Sequence, residues 1–565
     1  MLLSSLDLLA KAPGGVTRLR ELILTLAVQG KLVPQDGADE PASVLLQKIR
    51  AEKDWLIAEG KIKRDKPLAE IAEEEKPFEI PQGWEWVRLG FAAKKITDGT
   101  HHSPASFSTG DFKYLSAKNI KTWGIDLSDV TYIPAAVHEE IYTRCDPEVG
   151  DILFIKDGAT TGILTINTLA EPFSLLSSVG VIKASCGLTS EWLARVMRSP
   201  YFYGAMRAEM TGVAITRVTL SKLNVALVPL PPLAEQSRIV TRVEELMRLC
   251  DALEAKGRLE AMQHTQLVKT LQGTLTASAT PEKLADNWQR VAQHFDLLLD
   301  RPEAIDALEQ TLLQLAVRGL LVPQDPTDEP ASTLLVRIRT EKDRLIAEGK
   351  IKRDKPVPPI TNEERPFELP VGWEWGRLEQ LSIAIVDCPH STPRFVESGR
   401  LCLDTNSFKR GVLLPHKLRF VDDATFVERN IRLTPQPGDL VFAREGSVGE
   451  SILIPDGVEA CLGQRVMLFR FSSQVSKEFV RLAISSRSFL DSLLAMHKGI
   501  GAKHVNVGDM RNAVIPLPPL TEQSRIVTRV NALRRLCADL RQRLMSSQVT
   551  QSHLARALVE SSNPL

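Results

Sequence analysis

Two stretches of this chain decide how it is organised: AVQGKLVPQDGADEPASVLLQKIRAEKDWLIAEGKIKRDKP at residues 27–67, and AVRGLLVPQDPTDEPASTLLVRIRTEKDRLIAEGKIKRDKP at residues 316–356. About 32 of their 41 aligned positions are identical. A repeat this long and this faithful predicts a duplicated structural unit.

The match between the two halves is interrupted and then resumes. Gly83-Trp84-Glu85-Trp86 returns as Gly372-Trp373-Glu374-Trp375, and PLPPLAEQSRIVTRV from Pro229 returns as PLPPLTEQSRIVTRV from Pro516, with a period of about 288 residues. Between these blocks the two halves share only short, weakly similar stretches, such as VGDILFIKDGATTG from Val149 and PGDLVFAREGSVGE from Pro437. Repeated blocks that flank divergent regions are typical of a protein that presents two different recognition surfaces on one kind of scaffold. We call the repeated blocks the frame. Drift under relaxed selection is the alternative, and the pattern alone leaves it open.

Length and composition indicate an ordinary folded protein with more than one domain. At 565 residues the chain exceeds the size of a single hydrophobic core, and 43% hydrophobic with 25% charged residues is a globular balance. Seventy basic residues are offset by 70 acidic ones, so the net charge indicates neither nucleic acid nor a membrane as partner. Any DNA contact must come from local patches.

The N-terminus and the cysteines exclude other classes. Residues 1–10 are apolar, but no basic segment precedes them and Lys11 interrupts them, so we expect no signal peptide or membrane span and a cytoplasmic protein. The seven cysteines are odd in number, widely spaced and without a CxxC pair. The sequence therefore predicts neither a disulfide framework nor a zinc site.

A heptad stripe follows each Pro-Leu-Pro-Pro block, with apolar residues at alternating steps of four and three. The first helix, at 234–276, would be roughly 65 Å long. We expect both stripes to be buried against a partner helix, most simply against each other in a long antiparallel coiled coil. The predicted seam consists of Ile239, Val243, Leu246, Cys250 and Leu253 in the first helix and Ile526, Val530, Leu533, Cys537 and Leu540 in the second.

Shorter helices are predicted at 16–28, 42–59, 302–317 and 331–348, the second and fourth ending at Gly60 and Gly349. The N-terminal segment repeats the segment that comes after the first long helix, whereas the second long helix ends the chain. This order predicts a circular, pseudo-twofold arrangement in which residues 1–81 pack beside the C-terminal helix and complete the second half-repeat.

The regions at 82–230 and 371–515 show short alternating runs with turn signals, and 151–156 with 162–166 predicts a hairpin. The fold class is therefore α+β, with two globules separated by long helices. The predicted domains are a helical segment at 1–81, a first globule at 82–230, a central helical region at 231–370, a second globule at 371–515 and a C-terminal helix at 516–565.

Motifs for catalysis are missing from this sequence. It has no (Asn/Asp/Ser)-Pro-Pro-(Tyr/Phe/Trp) motif for amino methylation and no phosphate-binding GxxxxGK(S/T) loop. Gly499-Ile500-Gly501 does not continue into GxGxxG, and Glu254-Ala255-Lys256 lies within the heptad helix, where a solvated face is expected. The histidines lack metal-ligand spacing. We expect no catalytic residue and no metal site.

The repeated PLPPLAEQSRIV and PLPPLTEQSRIV blocks, the GDILF and GDLVF runs, and TDGTHHSP with VDCPHSTP near the globule starts together resemble the specificity subunit of a type I restriction-modification system. The resemblance spans essentially the whole chain. It implies two target recognition domains, each reading half of a split double-stranded DNA site. It also implies two modification subunits that bring S-adenosylmethionine and methylate adenines, and restriction subunits that use ATP and magnesium, with no cofactor in this chain. The insert at 42–67 and its twin at 331–356 have no place in the family pattern, and a docking surface for modification subunits is one interpretation.

Base reading needs polar side chains in the major groove, and phosphate contacts set the register. We expect such side chains on glycine-flanked loops of both globules, although some of them would be plain surface residues. The DNA-binding candidates are His101, His102, Lys118, Asn119, Lys121, Lys156, Thr160, Thr161 and Arg217 in the first globule and His390, Thr392, Arg394, Asn406, Lys409, Arg410, Arg444, Ser447, Lys503 and His504 in the second.

Three substitutions and two rival functions follow from these expectations. Arg444→Ala should weaken methylation with little loss of stability, and Asp at Leu246 or Leu533 should cost about 2–5 kcal/mol. A duplicated protein–protein scaffold without DNA specificity is the main rival. A self-sufficient methyltransferase with an unrecognised cofactor site is the other.

Overall fold

The computed structural model describes residues 9–10, 12–62, 68–207, 217–278, 280–353, 356–495 and 504–561. The chain divides into two compact units. Unit 1 comprises residues 1–260 with 548–565, and unit 2 comprises residues 261–547. Both long helices contribute residues to both units.

Unit 1 contains an α+β globule with helices on its outside. Its helices are α1 (Gly15–Val28), α2 (Ala42–Ala58), α3 (Leu89–Ala92), α4 (Ala135–Arg144), α5 (Ser190–Arg198), α6 (Pro200–Arg207), α7 (Leu220–Val225) and the first part of α8 (Leu233–Thr276). Its strands are β1 (Glu85–Arg88), β2 (Ala93–Asp98), β3 (Phe112–Leu115), β4 (Ile120–Lys121), β5 (Gly124–Ile125), β6 (Thr131–Ile133), β7 (Ile152–Ile155), β8 (Leu164–Ile166), β9 (Phe173–Leu175), β10 (Val179–Ala184) and β11 (Leu227–Leu230).

The globule of unit 1 is built on a four-stranded antiparallel sheet in the order β2-β10-β7-β8. A second sheet, in the order β6-β3-β9, includes one parallel pair. The first and last strands, β1 and β11, pair with each other, so the globule closes where the repeated frame resumes. The predicted hairpin is confirmed, because β7 and β8 pair in antiparallel register.

Unit 2 repeats this plan. Its helices are the last part of α8, α9 (Pro281–Ala292), α10 (Phe295–Leu298), α11 (Pro302–Val317), α12 (Ala331–Ala347), α13 (Leu378–Leu381), α14 (Asp423–Arg429), α15 (Lys477–Ile484), α16 (Arg487–Ala495), α17 (Val507–Asn512) and most of α18 (Leu520–Ser561). Its strands are β12 (Glu374–Arg377), β13 (Ser382–Asp387), β14 (Phe395–Val396), β15 (Arg400–Leu403), β16 (Phe408–Lys409), β17 (Val412–Leu413), β18 (Arg419–Val421), β19 (Leu440–Ala443), β20 (Ser451–Leu453), β21 (Ala460–Leu462), β22 (Val466–Phe471) and β23 (Val514–Leu517).

The sheets of unit 2 match those of unit 1. The main sheet has the order β13-β22-β19-β20, and β12 pairs with β23. A smaller sheet, in the order β14-β18-β15-β21, again contains one parallel pair. The predicted α+β class with duplicated globules and long helices is therefore confirmed.

In each unit one buried glutamate joins three parts of the repeated frame. Glu235, in the first turn of α8, accepts hydrogen bonds from Trp84 Nε1 at 2.9 Å and from Gln35 Nε2 at 2.7 Å. Burial raises the pKa of this carboxyl, and the two hydrogen bonds oppose that rise. In unit 2, Glu522 accepts from Trp373 and Gln324 in the same way.

The heptad stripe of α8 is buried within unit 1. Ile239, Val243 and Cys250 belong to a core that also contains Leu19 and Ile23 of α1, with Leu246 and Leu253 packed against it. The predicted partner is therefore corrected: over this stretch the stripe packs against the shorter helix α1 and the globule, which lie next to it. The end of α18 shares the same core through Ala555.

The stripe of α18 is buried within unit 2. Ile526 and Val530 join the core of the globule, and Leu533 and Cys537 pack against Ile305 of α11. The predicted seam is wrong at Leu540, which is 39% exposed. The stripe continues at Leu544 instead, which belongs to the same small cluster.

The N-terminal segment completes the first unit and not the second half-repeat as predicted. Helix α1 packs on α5 and α6 of the first globule, and α11 packs on α15 and α16 of the second globule in the same way. The physical reason is chain connectivity, since Ala42 at the start of α2 donates its backbone N–H to the carbonyl of Gly83 just ahead of β1. Packing beside the C-terminal helix is observed: Arg18 donates a hydrogen bond to Ser552 Oγ at 3.2 Å.

The predicted helices are found within one or two residues of their expected ends. Gly60 and Gly349 follow α2 and α12 with φ of +70° and +69°, as left-handed helix stops. All seven cysteines are free. Within the described ranges, no helix combines the length and apolar character that a membrane crossing requires.

Candidate nucleic-acid interface

A buried carboxylate lies at one end of the main sheet of unit 1. Asp98, the last residue of β2, is 1% exposed and lies 3.1 Å from Nζ of Lys156, which follows β7. His101 Nε2 lies 3.3 Å from the same carboxylate, and Arg144 at the end of α4 also pairs with it. We call Asp98, Lys156, Arg144 and His101 the Asp98 cluster.

Unit 2 carries the same arrangement with different residues. Asp387 ends β13, and Arg444, which follows β19, places Nη1 2.9 Å from its carboxylate. His390 Nε2 lies 3.5 Å from Asp387, as His101 lies near Asp98. We call Asp387, Arg444 and His390 the Asp387 cluster. An acid–base pair is therefore kept in both globules although the base has changed from lysine to arginine.

A second pair borders each cluster. In unit 1, Asp157 forms an isolated backbone bridge with Arg217, and their side chains are 3.1 Å apart. In unit 2, Glu445 forms the equivalent bridge with His504, with 2.6 Å between Glu445 Oε1 and His504 Nδ1. These pairs attach a distant segment of the chain to the strand that carries Lys156 or Arg444.

The buried bases Lys156 and Arg444 have a structural role, and their predicted contacts with DNA stay predictions. Lys156 and Arg444 were expected to contact DNA, yet their side chains are only 2% and 7% exposed, and each is paired with an acid: Lys156 with the buried Asp98 and Arg444 with the half-buried Asp387. Leaving a buried acid such as Asp98 unpaired costs about 3–5 kcal/mol. This pairing argues against the expectation that Arg444→Ala spares stability, which stays a prediction.

Two further candidates are used up by bonds inside the globule. Asn119 is buried, donates to the carbonyls of Asp126 and Asp129 at 3.0 Å each, and accepts from the N–H of Ser116. Thr161 is buried and donates to the carbonyl of Gly158 at 2.7 Å. Both side chains shape a loop, and their contact with DNA stays a prediction.

Arg410 and Lys503 need separate mention. Arg410 has an exposed side chain, but it pairs with Asp306 of α11 at 2.8 Å, so it also ties the globule to that helix. Its φ is +51°, in the left-handed region, and its backbone N–H donates to Glu450. Lys503 lies outside the described residues.

The remaining candidates present polar groups at the surface, on loops or at the edges of elements. Lys121 and His504 are half-buried and the others are exposed. Lys118 pairs with Asp129, and Thr392 accepts from Gln464 Nε2 at 2.9 Å, so neither is isolated. The surface set in unit 1 is His101, His102, Lys118, Lys121, Thr160 and Arg217, and in unit 2 it is His390, Thr392, Arg394, Asn406, Lys409, Ser447 and His504.

Two exposed arginines at these surfaces were not among the sequence candidates. Arg144 is 52% exposed at the side chain, and its Nη2 lies 3.0 Å from His101 Nε2. Arg465 is 61% exposed, has a φ of +64°, and accepts at its carbonyl a hydrogen bond from the N–H of Arg444. Ser178 makes the equivalent bond to Lys156 in unit 1, so aligning the two halves could have found Arg465.

Each surface thus consists of exposed hydrogen-bonding side chains mounted on a buried ion pair. Arginine and histidine donate to base acceptors or phosphates, and hydroxyl and amide groups can donate or accept. Such a surface is suited to reading a polar ligand by its pattern of donors and acceptors. Within the described ranges, no group of three or more His, Cys, Asp or Glu residues is placed to hold a metal ion.

The sequence of this chain is similar to proteins of one known family. A family model described as the type I restriction modification DNA specificity domain matches residues 82–263 and 425–547. The chain is 37% identical to the specificity subunit of the type I restriction enzyme EcoAI from Escherichia coli, over 97% of this chain and 93% of that protein. The EcoEI specificity subunit from the same species shows the same identity and coverage, and the EcoKI subunit is 20% identical over 85% of this chain and 89% of its own length. The chain belongs to the family of type I restriction-modification specificity subunits.

Proposed function

We propose that this chain acts in the cytoplasm as the DNA-reading subunit of a type I restriction-modification complex, each globule recognising one part of a two-part double-stranded site. The observation that carries the proposal is the pair of clusters around Asp98 and Asp387. Both keep an acid–base pair with a buried base, Lys156 or Arg444, while the exposed residues beside it differ. Two domains that read different base sequences need the same supporting structure and different contact residues. We call the pairs Asp98–Lys156 and Asp387–Arg444 the mounts of the two surfaces.

The exposed residues suggest how the two readings differ. Beside the Asp98 cluster, unit 1 presents Arg217, and the equivalent place in unit 2 is taken by His504. Arg465 in unit 2 stands where unit 1 has Ser178. Arginine can form two hydrogen bonds with guanine, whereas serine and histidine suit other base edges. The two globules would therefore prefer different half-sites.

The long helices suit a divided target. Helix α8 has 44 residues, which corresponds to roughly 66 Å at 1.5 Å per residue. DNA presents the same groove on the same face about every 34 Å. A helical spacer of fixed length would hold two reading surfaces in register with such a site, which a flexible linker would not.

The methylating and cleaving chemistry belongs, in this proposal, to other subunits. Two modification subunits would bring S-adenosylmethionine and methylate adenines, and restriction subunits would use ATP and magnesium. This chain would supply no cofactor and no catalytic residue of its own.

Two identical modification subunits would need the same docking surface in both halves of this chain. The repeated helices α2 and α12 carry such a surface. Along α2 the exposed and half-buried positions form two stripes. One stripe is identical in α12 and its following turn except at the exposed pair Gln47/Val336, whereas the neighbouring stripe has changed. The identical pairs are Ser43/Ser332, Arg50/Arg339, Asp54/Asp343, Ala58/Ala347 and Lys61/Lys350, and the changed pairs are Val44/Thr333, Ala51/Thr340 and Trp55/Arg344.

At about 100° per residue the identical stripe spans one face of the helix. Solvent alone does not hold exposed residues constant in a duplication whose globules have diverged. The face carries both arginine and aspartate, so it suits a partner surface of mixed charge. We therefore assign this stripe as the docking face for the modification subunits.

The test is to assemble the chain with its methyltransferase partner and map modified adenines by sequencing. Arg217→Ala should relax or lose one half-site, and Arg465→Ala should affect only the other half-site. Lys269→Ala, on the exposed surface of α8, serves as the matched control for loss of a positive charge. Salt-insensitive binding, or no duplex binding even with partners present, would favour the scaffold alternative.

Docking is tested separately by Asp54→Arg combined with Asp343→Arg. This double variant should lose the methyltransferase subunit in gel filtration, whereas Trp55→Ala with Arg344→Ala, on the changed stripe, should retain it. Binding of S-adenosylmethionine by the isolated chain in calorimetry would instead favour a self-sufficient methyltransferase.

A further inference from the structure

A cavity in unit 2 opens between the frame and the globule. It has a volume of about 260 Å³ and lies beside the rings of Phe367 and Trp375. Ser488, Leu493 and Val514 also line it. The two rings have their centroids 5.0 Å apart and tilted by 56°, so they form an aromatic corner.

The equivalent place in unit 1 is filled by a tyrosine. Phe78 and Trp86 form the same corner, with centroids 5.0 Å apart, and the ring of Tyr201 packs edge-on against both, at 5.4 and 5.9 Å. The hydroxyl of Tyr201 donates to the carbonyl of Leu227 at 3.0 Å. Tyr201 is half-buried, and this burial raises the pKa of its hydroxyl to about 12.

One substitution accounts for most of the difference. In the aligned helix starts SPYF and SRSF, Tyr201 of unit 1 corresponds to Ser488 of unit 2. A neighbouring change, Val196 to Ala483, removes more volume, and Ala483 lines the cavity. Unit 2 also has a carbonyl equivalent to that of Leu227, which accepts from Tyr201 in unit 1. Val514 pairs with Arg377 in the strand register of unit 2 as Leu227 pairs with Arg88 in unit 1, so its carbonyl is the equivalent acceptor.

We propose that this cavity is a binding site for a phenol ring. The ring would pack edge-on against Phe367 and Trp375, and its hydroxyl would donate to the carbonyl of Val514. The chain itself shows in unit 1 that this corner accepts such a group. Aromatic pairs in this geometry gain beyond their buried area, and apolar cavities of roughly 150 Å³ already bind benzene.

Charged groups also border the cavity. Glu363 and Glu364 line it, Glu364 is held by Arg377 at 2.9 Å, and the Arg318 guanidinium lies 5.5 Å from the centroid of the Phe367 ring. A neutral phenol carries no charge that either the acids or the arginines would repel. A free phenolic molecule and a tyrosine side chain of a partner protein share this chemistry.

The probe is p-cresol, the side chain of tyrosine without its backbone, titrated into the full chain by calorimetry and ligand-observed NMR. We expect one site per chain. Ser488→Tyr should weaken binding at least tenfold by supplying the ring covalently, and Tyr201→Ser should raise the number of sites to two. Because Ser488→Tyr could disturb packing, Ser488→Phe is measured alongside it, and circular dichroism checks both.

Shape and donor are tested with two analogues of similar size. The non-planar 4-methylcyclohexanol and toluene, which lacks the hydroxyl, should each bind several-fold more weakly than p-cresol. The proposal is overturned if the natural chain binds no p-cresol, or if correctly folded Ser488→Tyr and Ser488→Phe bind it as the natural chain does.

Assembly with the methyltransferase subunit distinguishes the two sources of the phenol ring, a partner's tyrosine and a free phenolic molecule. If Ser488→Tyr abolishes capture of the methyltransferase subunit, the site receives a partner's tyrosine. If assembly and DNA reading are unchanged, the site serves a free phenolic ligand. These two arms rest on the proposed assembly, whereas the p-cresol titration does not, because it is measured on the chain alone.

Discussion

Substitution of Lys156 by methionine tests whether the buried ion pair is a structural mount. Methionine keeps most of the side-chain volume but removes the charge from the pair that Lys156 forms with Asp98, each side chain being 2% exposed. Removing one partner of a buried pair costs about 3–5 kcal/mol. Arg144 and His101 remain beside Asp98, so we expect the lower end of this range, about 3 kcal/mol.

Hydrogen exchange of the amides in β7 and β10 measures this cost, because it reports the local free energy of opening in a chain of two units. The paired change Asp98→Asn with Lys156→Met should recover most of the loss, since no buried charge is left unpaired. Lys31→Met, at an exposed lysine of the same unit that is not among the DNA-binding candidates, is the control for charge removal. The reasoning is refuted if Lys156→Met leaves exchange in β7 and β10 unchanged while DNA binding falls, because Lys156 would then be a contact residue.

Three further predictions follow from the structure. Arg217→Ala should weaken cognate DNA binding of the assembled enzyme by about 1–3 kcal/mol without changing hydrogen exchange in the sheet, as measured by gel-shift titration. The pKa of Asp39 and of Asp328 lies below its ordinary value because each carboxylate accepts a hydrogen bond from an arginine at the start of a long helix. Their stabilisation is therefore present above the unfolded-state pKa and is lost as pH falls through the lowered folded-state value, so Asp39→Asn with Asp328→Asn should flatten the acid limb of urea unfolding. Leu246→Asp should cost about 2–5 kcal/mol by burying a charge in the core of unit 1, whereas Leu540→Asp, at an exposed position, should leave the melting temperature unchanged.

Much of the frame was predictable because its signals are local. Heptad spacing, left-handed glycine stops and proline entries act within a few residues, and the helices they predicted lie where expected. The partner of the heptad stripe was not predictable from spacing, since a stripe that suits another long helix equally suits α1 or α11. The N-terminal segment was assigned to the wrong half for a related reason: repeat order does not say whether a segment packs on the globule before or after it.

The candidate site was predicted less well, because burial of a polar residue leaves no local signal. Lys156 and Arg444 stand on glycine-flanked turns like true contact residues, yet an acid from a strand more than 50 positions away draws each of them inward. The side chain of Asn119 is likewise held inside the globule, because it donates hydrogen bonds to carbonyl groups of its own loop. Arg144 was missed because its place near His101 depends on the packing of α4, which no motif marks.

The same physics explains why the frame stayed constant while the globules diverged. Glu235 is buried and accepts hydrogen bonds from Trp84 and Gln35, and Arg238 of the same helix turn holds Asp39. Changing any one of these residues leaves a buried acid or donor without its partner, at a cost of about 1–3 kcal/mol or more. The set therefore resists single substitutions, and it is identical in both halves.

The mounts in the globules tolerate one kind of exchange, because lysine and arginine both neutralise the buried aspartate. Around them, side chains such as Arg217 or Ser447 face solvent, so their replacement costs the fold little and changes what the surface can bind. Specificity can then change without loss of assembly. A chimaera that carries the exposed residues of one globule on the mount of the other should therefore fold and should transfer the half-site with them; a chimaera that folds but keeps its original half-site would place the reading residues elsewhere.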